Sequence, residues 1–363
     1  MCKMNRSINN KLIQINIMKS ILNTILVITS FSTTMFLASC GNETKKEATD
    51  AEHHEHADGK EHSEEHIYAC PMHPEVIGKE GDKCPKCGMA LEHNDNAGKS
   101  NGLTYFMQFS SMPNELEVGK EGLLSFTPKI KGKENEAVPL DVVHEKKLHL
   151  IIASKDLSYF EHIHPEYQAD GSYQIKVLSK NQNYTISKGH NETRFDKGGE
   201  YILFADYAPT GGTHQMEKIP VTVKGTAYKP TVYSKERLSV NIDGYTVTIE
   251  AEGGKWASNQ QMHINAVVKK GNQIIDANTF ENYLGAKAHM VVLKTETFEY
   301  LHVHPGVENG NLDLHTTFES AGIYRGWIQF QTDGKVHAAD FVIAVEQGAG
   351  TTKTDNMKNM KGM

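Results

Sequence analysis

The feature that most constrains this chain is a long-range internal repeat. "LHLIIASKDLSYFEHIHP" at 148–165 lines up with "AHMVVLKTETFEYLHVHP" at 288–305, so that His149, His162 and His164 fall on His289, His302 and His304 at a constant offset of 140. Further on, "GGEYILFADYAPTGGTH" at 198–214 lines up with "AGIYRGWIQFQTDGKVH" at 321–337, which puts His214 on His337 at an offset of 123. The change of 17 residues locates an insertion in the first copy, around "NQNYTISKGHNETRF". A chain that repeats itself at this period builds one kind of unit twice.

The unit reads as β-structure. From about residue 102 the chain alternates β-branched and aromatic runs ("YQIKVL", "EYILFADY", "YTVTIEA", "YRGWIQF") with Gly, Asn, Asp and Pro clusters, and helical periodicity is nearly absent. Copies of about 115 to 125 residues have the size of an immunoglobulin-like β-sandwich. The expected sandwiches are residues 102–226 and 232–347, with a Met-containing tail, 348–363, expected to be disordered.

The recurring histidines suit metal ligation. In "EHIHP" and "LHVHP" one residue separates the imidazoles, and on a strand that spacing points both to one face. Period-2 alternation places His149 beside Ile151 and His289 beside Val291, and His214 and His337 follow Gly-containing turns as fourth candidates. If the strands are adjacent, three or four imidazoles converge at one end of each sandwich, a nitrogen-rich site for Cu(II) or Zn(II). The competing reading is a hydrogen-bonded histidine network without metal. His144, His190, His263 and His315 lack partners at the repeat offset and read as incidental, with His263 a neighbour of the second site at most. The layout resembles duplicated bacterial secreted β-domains with a "YLHVHP" signature, some of them found beside copper genes.

A second constellation precedes the repeats. "YACPMHPEVIGKEGDKCPKCGMAL" at 68–91 holds three cysteines, one histidine and two methionines. Cys70 and His73 in "CPMH", and Cys84 and Cys87 in "CPKCG", are each C-x-x-ligand turns, the spacing that lets two side chains meet one ion. Three thiolates and an imidazole suit Zn(II), while the thioethers of Met72 and Met89 favour Cu(I) or Ag(I). A segment this short, 67–92, lacks a core of its own and is expected to fold on metal; a purely structural zinc ribbon and a disulfide-bonded loop are the alternatives. The stretch closely resembles the heavy-metal-binding domain that accompanies copper and silver efflux pumps and their adaptors. That resemblance implies transition-metal binding and copper handling, with Cys70, His73, Cys84 and Cys87 at the motif positions.

The N-terminus sets the compartment. An apolar run at 20–36 behind Lys19, then "LASCG", has the layout of a bacterial secretory signal and resembles a lipoprotein box, so residues 1–39 are expected to be removed and Cys40 acylated. Gly41 stands where an inner-membrane retention aspartate would be, which points to the outer membrane of the cell envelope. Residues 40–66 are polar and His-rich (His53, His54, His56, His62, His66), a disordered tether able to hold metal loosely or to act as a solvated spacer. Beyond residue 39 the chain has 34 basic and 45 acidic residues, a net charge of −11, which argues against nucleic acid and is compatible with cations.

These features together lead to an envelope protein, lipid-anchored and not an enzyme, that buffers or chaperones copper (or zinc or silver) and works with an efflux pump or adaptor. Two other readings remain: a surface adhesion or scaffold lipoprotein with structural metal, and a cupin-like metalloenzyme. Glu166 after the first H-x-H motif has only Gly306 opposite it in the second, and no nucleophile pair or phosphate loop stands out. Neither sandwich can be a blue-copper electron carrier of the usual kind, because no cysteine follows Cys87.

Overall fold

A computed structural model of the chain describes residues 67–70, 73, 75–86, 88, 90–93, 101–182 and 191–348. The signal, Cys40, the histidine tether, Met72, Cys87, Met89 and the tail beyond residue 348 lie outside the described residues. The fold is mainly β, a small cysteine module followed by two β-sandwiches, and the described residues contain no α-helix.

The main strands of the first sandwich are β1 (Tyr105–Met112), β2 (Gly122–Ile130), β3 (Leu148–Ser154), β4 (Phe160–Ile163), β5 (Tyr173–Val177), β6 (Gly199–Tyr207) and β7 (Gln215–Lys224). Those of the second are β8 (Tyr245–Ala251), β9 (Gln261–Lys270), β10 (Ala288–Lys294), β11 (Tyr300–Val303), β12 (Asn311–Thr317), β13 (Gly322–Thr332) and β14 (Lys335–Val345). Each sandwich has an outer sheet, ordered β5–β2–β1 or β8–β9–β12, and an inner sheet, ordered β7–β6–β3–β4 or β11–β10–β13–β14. The 17 additional residues of the first copy lie between Val177 and Gly199, where the second copy needs only residues 318–321.

Burial along the strands shows how the sandwiches are stacked. β2 and β8 alternate buried and partly exposed residues, as a sheet with one wet face must. β3 and β10 are buried at all seven positions. Leu148, Leu150 and Ile152 enter the core of the first sandwich with Leu124, Phe126 and Ile175. Ile151 and Ala153 point the other way, onto Val291, Leu293 and Trp327 of the second. The two inner sheets therefore pack back to back, and each large apolar side chain withdrawn from water there contributes roughly 1.5–3 kcal/mol.

The seam repeats itself across the two copies. Phe160 stacks on Trp327 at a centroid distance of 4.2 Å, and Tyr300 stacks on Phe204 at 5.6 Å. Phe160 and Tyr300 are equivalent at the offset of 140, as are Phe204 and Trp327 at 123. The interface is thus pseudo-symmetric, each copy presenting to the other the surface it receives.

Candidate metal centres

Period-2 alternation sends His149 and His289 to the same side as Ile151 and Val291, into the seam between the sandwiches. His162 pairs with Ile151 and His302 with Val291, so each H-x-H strand lays its imidazoles beside that residue. Among the described residues three groups of ligand atoms converge within 4.8 Å: His149, His162 and His164; His289, His302 and His304; and Cys70, His73 and Cys84. The two histidine triads do not occupy separate sandwich ends, as expected from the sequence. They adjoin each other in one buried cluster, with His149 and His302 centroids 5.5 Å apart and those of His162 and His289 5.9 Å apart. The reason is that the strands carrying them are buried on both faces.

Hydrogen bonds fix which ring nitrogens are basic. His149 Nε2 donates to the Val143 carbonyl (2.9 Å), and His289 Nε2 donates to the equivalent Tyr283 carbonyl (2.8 Å). His162 Nδ1 donates to Gln329 Oε1 (3.0 Å), and His302 Nδ1 to Asp206 Oδ2 (3.4 Å). In a neutral imidazole the second nitrogen then carries a lone pair, and in all four rings that nitrogen is the one left facing inward. His149 Nδ1 lies 3.2 Å from His162 Nε2 and 3.3 Å from His164 Nε2. Nitrogens held at about 2.0–2.1 Å by a tetrahedral ion stand about 3.3–3.4 Å apart, so the first triad fits a cation. In the second triad His289 Nδ1, His302 Nε2 and both nitrogens of His304 are buried without a hydrogen-bond partner. Orphaned acceptors are costly unless an ion satisfies them.

Burial keeps His149, His162, His164, His289 and His304 neutral and ready to ligate. It lowers His149 to about 4 and drives His162, His164, His289 and His304 well below the usual imidazole range. The second bonds cross the seam: Gln329 of the second copy supports His162 of the first, and Asp206 of the first supports His302 of the second. Asp206 and Gln329 are equivalent at the offset of 123, so one triad is backed by a carboxylate and the other by an amide. Burial pushes the Asp206 carboxyl up, but His214 and the bonds from His214 and His302 outweigh it and hold it well below its ordinary value.

Neither proposed fourth ligand joins a triad. His214 Nε2 is spent on Asp206 Oδ1 (2.5 Å), which makes it a support for the carboxylate that orients His302. His337 Nδ1 bonds Asp243 (2.8 Å) and its Nε2 meets Thr332 (2.9 Å), with the ring against Tyr245 and Phe330. It follows β13 around the hairpin to the face opposite the seam. His144, read as incidental, does reach the cluster: its ring stacks on His304 at 3.7 Å, and burial lowers it to about 3. His144 and Leu284 both have positive φ (49° and 55°) in the reversals closed by Val143–Lys146 and Tyr283–Ala286. The repeat is therefore kept in the backbone where the residue type differs, and only the turn geometry could have marked His144.

The cysteine module is a three-stranded sheet of two-residue strands, Tyr68–Ala69, Ile77–Gly78 and Glu92–His93. The amide of His73 donates to the Cys70 carbonyl and that of Gly88 to the Cys84 carbonyl, closing both ligand turns; Gly88, at φ 76°, takes the left-handed backbone its turn needs. His73 Nδ1 is 3.7 Å from Cys70 Sγ and 3.5 Å from Cys84 Sγ. A tetrahedral zinc with one nitrogen and one sulfur ligand separates them by about 3.5–3.6 Å, so these three also fit an ion. Glu75 and Lys86 form an ion pair across the module (2.8 Å).

The comparisons with known proteins agree with this division. The chain belongs to the family described as "Domain of unknown function (DUF8832)", which matches residues 103–225 and 239–347. Residues 67–94 match the family described as "Heavy metal binding domain". Over 26 residues, 7% of this chain, the sequence is 65% identical to a copper-transporting P-type ATPase of Rhizobium leguminosarum bv. viciae, of whose length the match spans 3%. Similar solved structures include the Escherichia coli adhesin FdeC (14% identity, 68% of this chain and 66% of that one, TM-score 0.22) and E. coli alpha-2-macroglobulin (11% identity, 68% and 14%, TM-score 0.20). The chain carries a heavy-metal-binding module, and it binds metal ions.

Proposed function

We propose that this is a lipid-anchored protein of the bacterial envelope, in the outer membrane, that buffers or chaperones copper, zinc or silver for an efflux pump or adaptor, and that it is not an enzyme. The ion is its cargo. In this reading the tether captures ions, the cysteine module holds soft ones, and the two triads hold borderline divalent ions in the seam. The observation that carries the seam sites is the pair of inward lone pairs on His149 Nδ1 and His162 Nε2, 3.2 Å apart, with the proton of each ring committed elsewhere. Two acceptors at that distance repel unless a cation lies between them.

Burial favours a second role for those same sites. The triad residues are at most 7% exposed, so their ions exchange slowly and act as structural rivets between sandwiches, leaving traffic to the thiols and tether. The deciding experiment is copper and zinc titration of the full chain, followed by dilution into a competing chelator. Seam equivalents that vanish with His162→Ala plus His302→Ala and leave within the module's release time support buffering. Equivalents released only on unfolding support rivets, and no seam equivalents at all would sink both. Copper tolerance of cells lacking the protein tests the link to efflux.

A further inference from the structure

The outer sheet of the second sandwich carries a histidine pair outside both triads. His263 on β9 and His315 on β12 are direct cross-strand partners, with ring centroids 4.2 Å apart on the face turned to solvent. Asp313 Oδ2 accepts from His315 Nε2 at 2.7 Å, which leaves the His315 Nδ1 lone pair available. Glu252 Oε2 stands 3.8 Å from His263 Nδ1. His263 borders a cleft of about 430 Å³ that Glu250, Glu252, Glu308 and Asp313 also line. Two imidazoles side by side on adjacent strands, each with a carboxylate beside it at an open cleft, offer ligands to a borderline divalent cation.

An independent observation concerns what lies beside the pair. The Thr316 hydroxyl donates to the Lys86 carbonyl (2.9 Å) and the Thr317 hydroxyl to the Pro85 carbonyl (3.2 Å). Gly88 lies so close to His315 that a Cβ there would meet its Cβ and backbone at 3.4–3.5 Å. Pro85, Lys86 and Gly88 of the metal module are thus seated on His315 and the two residues after it. Nothing about the sandwich core requires a histidine pair at that seat, because both side chains project away from it.

We propose that His263 and His315, with Asp313 and Glu252, form a third class of metal site, a solvent-facing one for a divalent ion such as Zn(II), through which ions pass to and from the cysteine module docked beside it. Zinc changes hands between imidazole and thiolate without a change of oxidation state, so the passage needs no redox partner. The passage, unlike the site, rests on the module loading with metal.

The test uses the full chain and zinc alone, against a chromophoric chelator. A Cys70→Ser, Cys84→Ser chain, stripped of module binding, is compared with the same chain carrying His263→Ala and His315→Ala. One zinc equivalent is expected to disappear, and Asp313→Asn to weaken it about 10-fold or more. An unchanged count overturns the site, whatever the module does. With the cysteines intact, extraction of zinc from the module is expected to slow several-fold in the His263→Ala, His315→Ala chain. Unchanged extraction from a loaded module overturns the passage. A module that takes no zinc overturns its reading as a zinc holder and the passage with it, while the first comparison still decides the site. His263 is exposed and His315 partly covered by the module, and an unaltered circular dichroism spectrum confirms that the variant folds.

Discussion

The cysteine module and the histidine seam both gather metal ligands, but they do so in opposite orders. In the module, Cys70 and His73, three residues apart, meet through one local turn, and the sheet around them consists of two-residue strands with a core of Cys70, Cys84 and Leu91. There the ion has to make the fold. In the seam, His149 and His302 are 153 residues apart and meet only because two complete sandwiches pack their inner sheets together. There the fold makes the ion site. Sequence spacing alone can announce the first kind of site, whereas the second exists only at the level of domain packing.

The largest effect that would break this contrast is expected in the module. Structural zinc contributes apparent binding energies of about 10–16 kcal/mol in small zinc domains, so Cys70→Ser with Cys84→Ser should abolish protection from hydrogen exchange over residues 67–93. The sandwiches should keep theirs. Loss of protection in both regions would show that the sandwiches lean on the module.

Metal should act on the seam as an increment on a fold that already exists. An ion present at a hundredfold over its Kd adds about 2.7 kcal/mol, roughly 5–10 °C in Tm for a unit of this size. His162→Ala with His302→Ala should erase that increment, and His162→Gln with His302→Gln, which keeps more of the volume, separates lost ligation from lost packing. The metal-free protein should also be acid-sensitive. His149 titrates near 4 when folded and near 6.5 when unfolded, so between those values the unfolded state holds the extra proton. Stability is full above about 6.5 and falls by about 1.4 kcal/mol per pH unit for each such ring on acidification, a slope that urea melts at several pH values will read. A flat profile from pH 7 to 4.5 would contradict neutral buried rings.

Much of this was legible in the chain, for identifiable reasons. Strand alternation and the repeat register delivered the β fold, and the H-x-H spacing delivered the shared face of His162 and His164. The seam does not follow from the histidine spacing of either repeat taken singly. Its signal was present: "LHLIIAS" and "AHMVVLK" are nearly continuous apolar runs, the mark of strands covered on both faces. His214 and His337 matched the repeat but not the triads, because a register repeats partners of ligands and hairpin residues as faithfully as ligands. His263 and His315 belong to one copy only, so the repeat register carries no signal for them.

Within the seam, Asp206 and Gln329 sharpen the contrast between fold-made sites. His149 matches His289 in tautomer and His162 matches His302, but a carboxylate stands behind His302 and an amide behind His162. Asp206→Asn should weaken the second triad about 10- to 100-fold, and Gln329→Glu should tighten the first. Competition titrations resolve the two equivalents, and equal affinities in the parent protein would remove the role assigned to Asp206.

The smallest effect concerns the joint between the regions. Beside the packing of Val143 on the module core, the polar contacts through Thr316 and Thr317 are two hydroxyl–carbonyl bonds, each of net worth about 0.5–1.5 kcal/mol, far below either the ion in the module or the packing of the seam. Thr316→Val with Thr317→Val should therefore leave metal content and the Tm of the sandwiches unchanged. It should nonetheless loosen the module, leaving the Gly88–His315 approach and the packing of Val143 on Cys70, Cys84 and Leu91 to hold it, and 15N relaxation would then report the module moving faster than the sandwiches. If it stays rigidly attached, the joint is stronger than these bonds, and the module belongs to the fold of the second sandwich. If it swings free while zinc extraction slows as in the His263→Ala, His315→Ala chain, proximity to the histidine pair is what the joint provides.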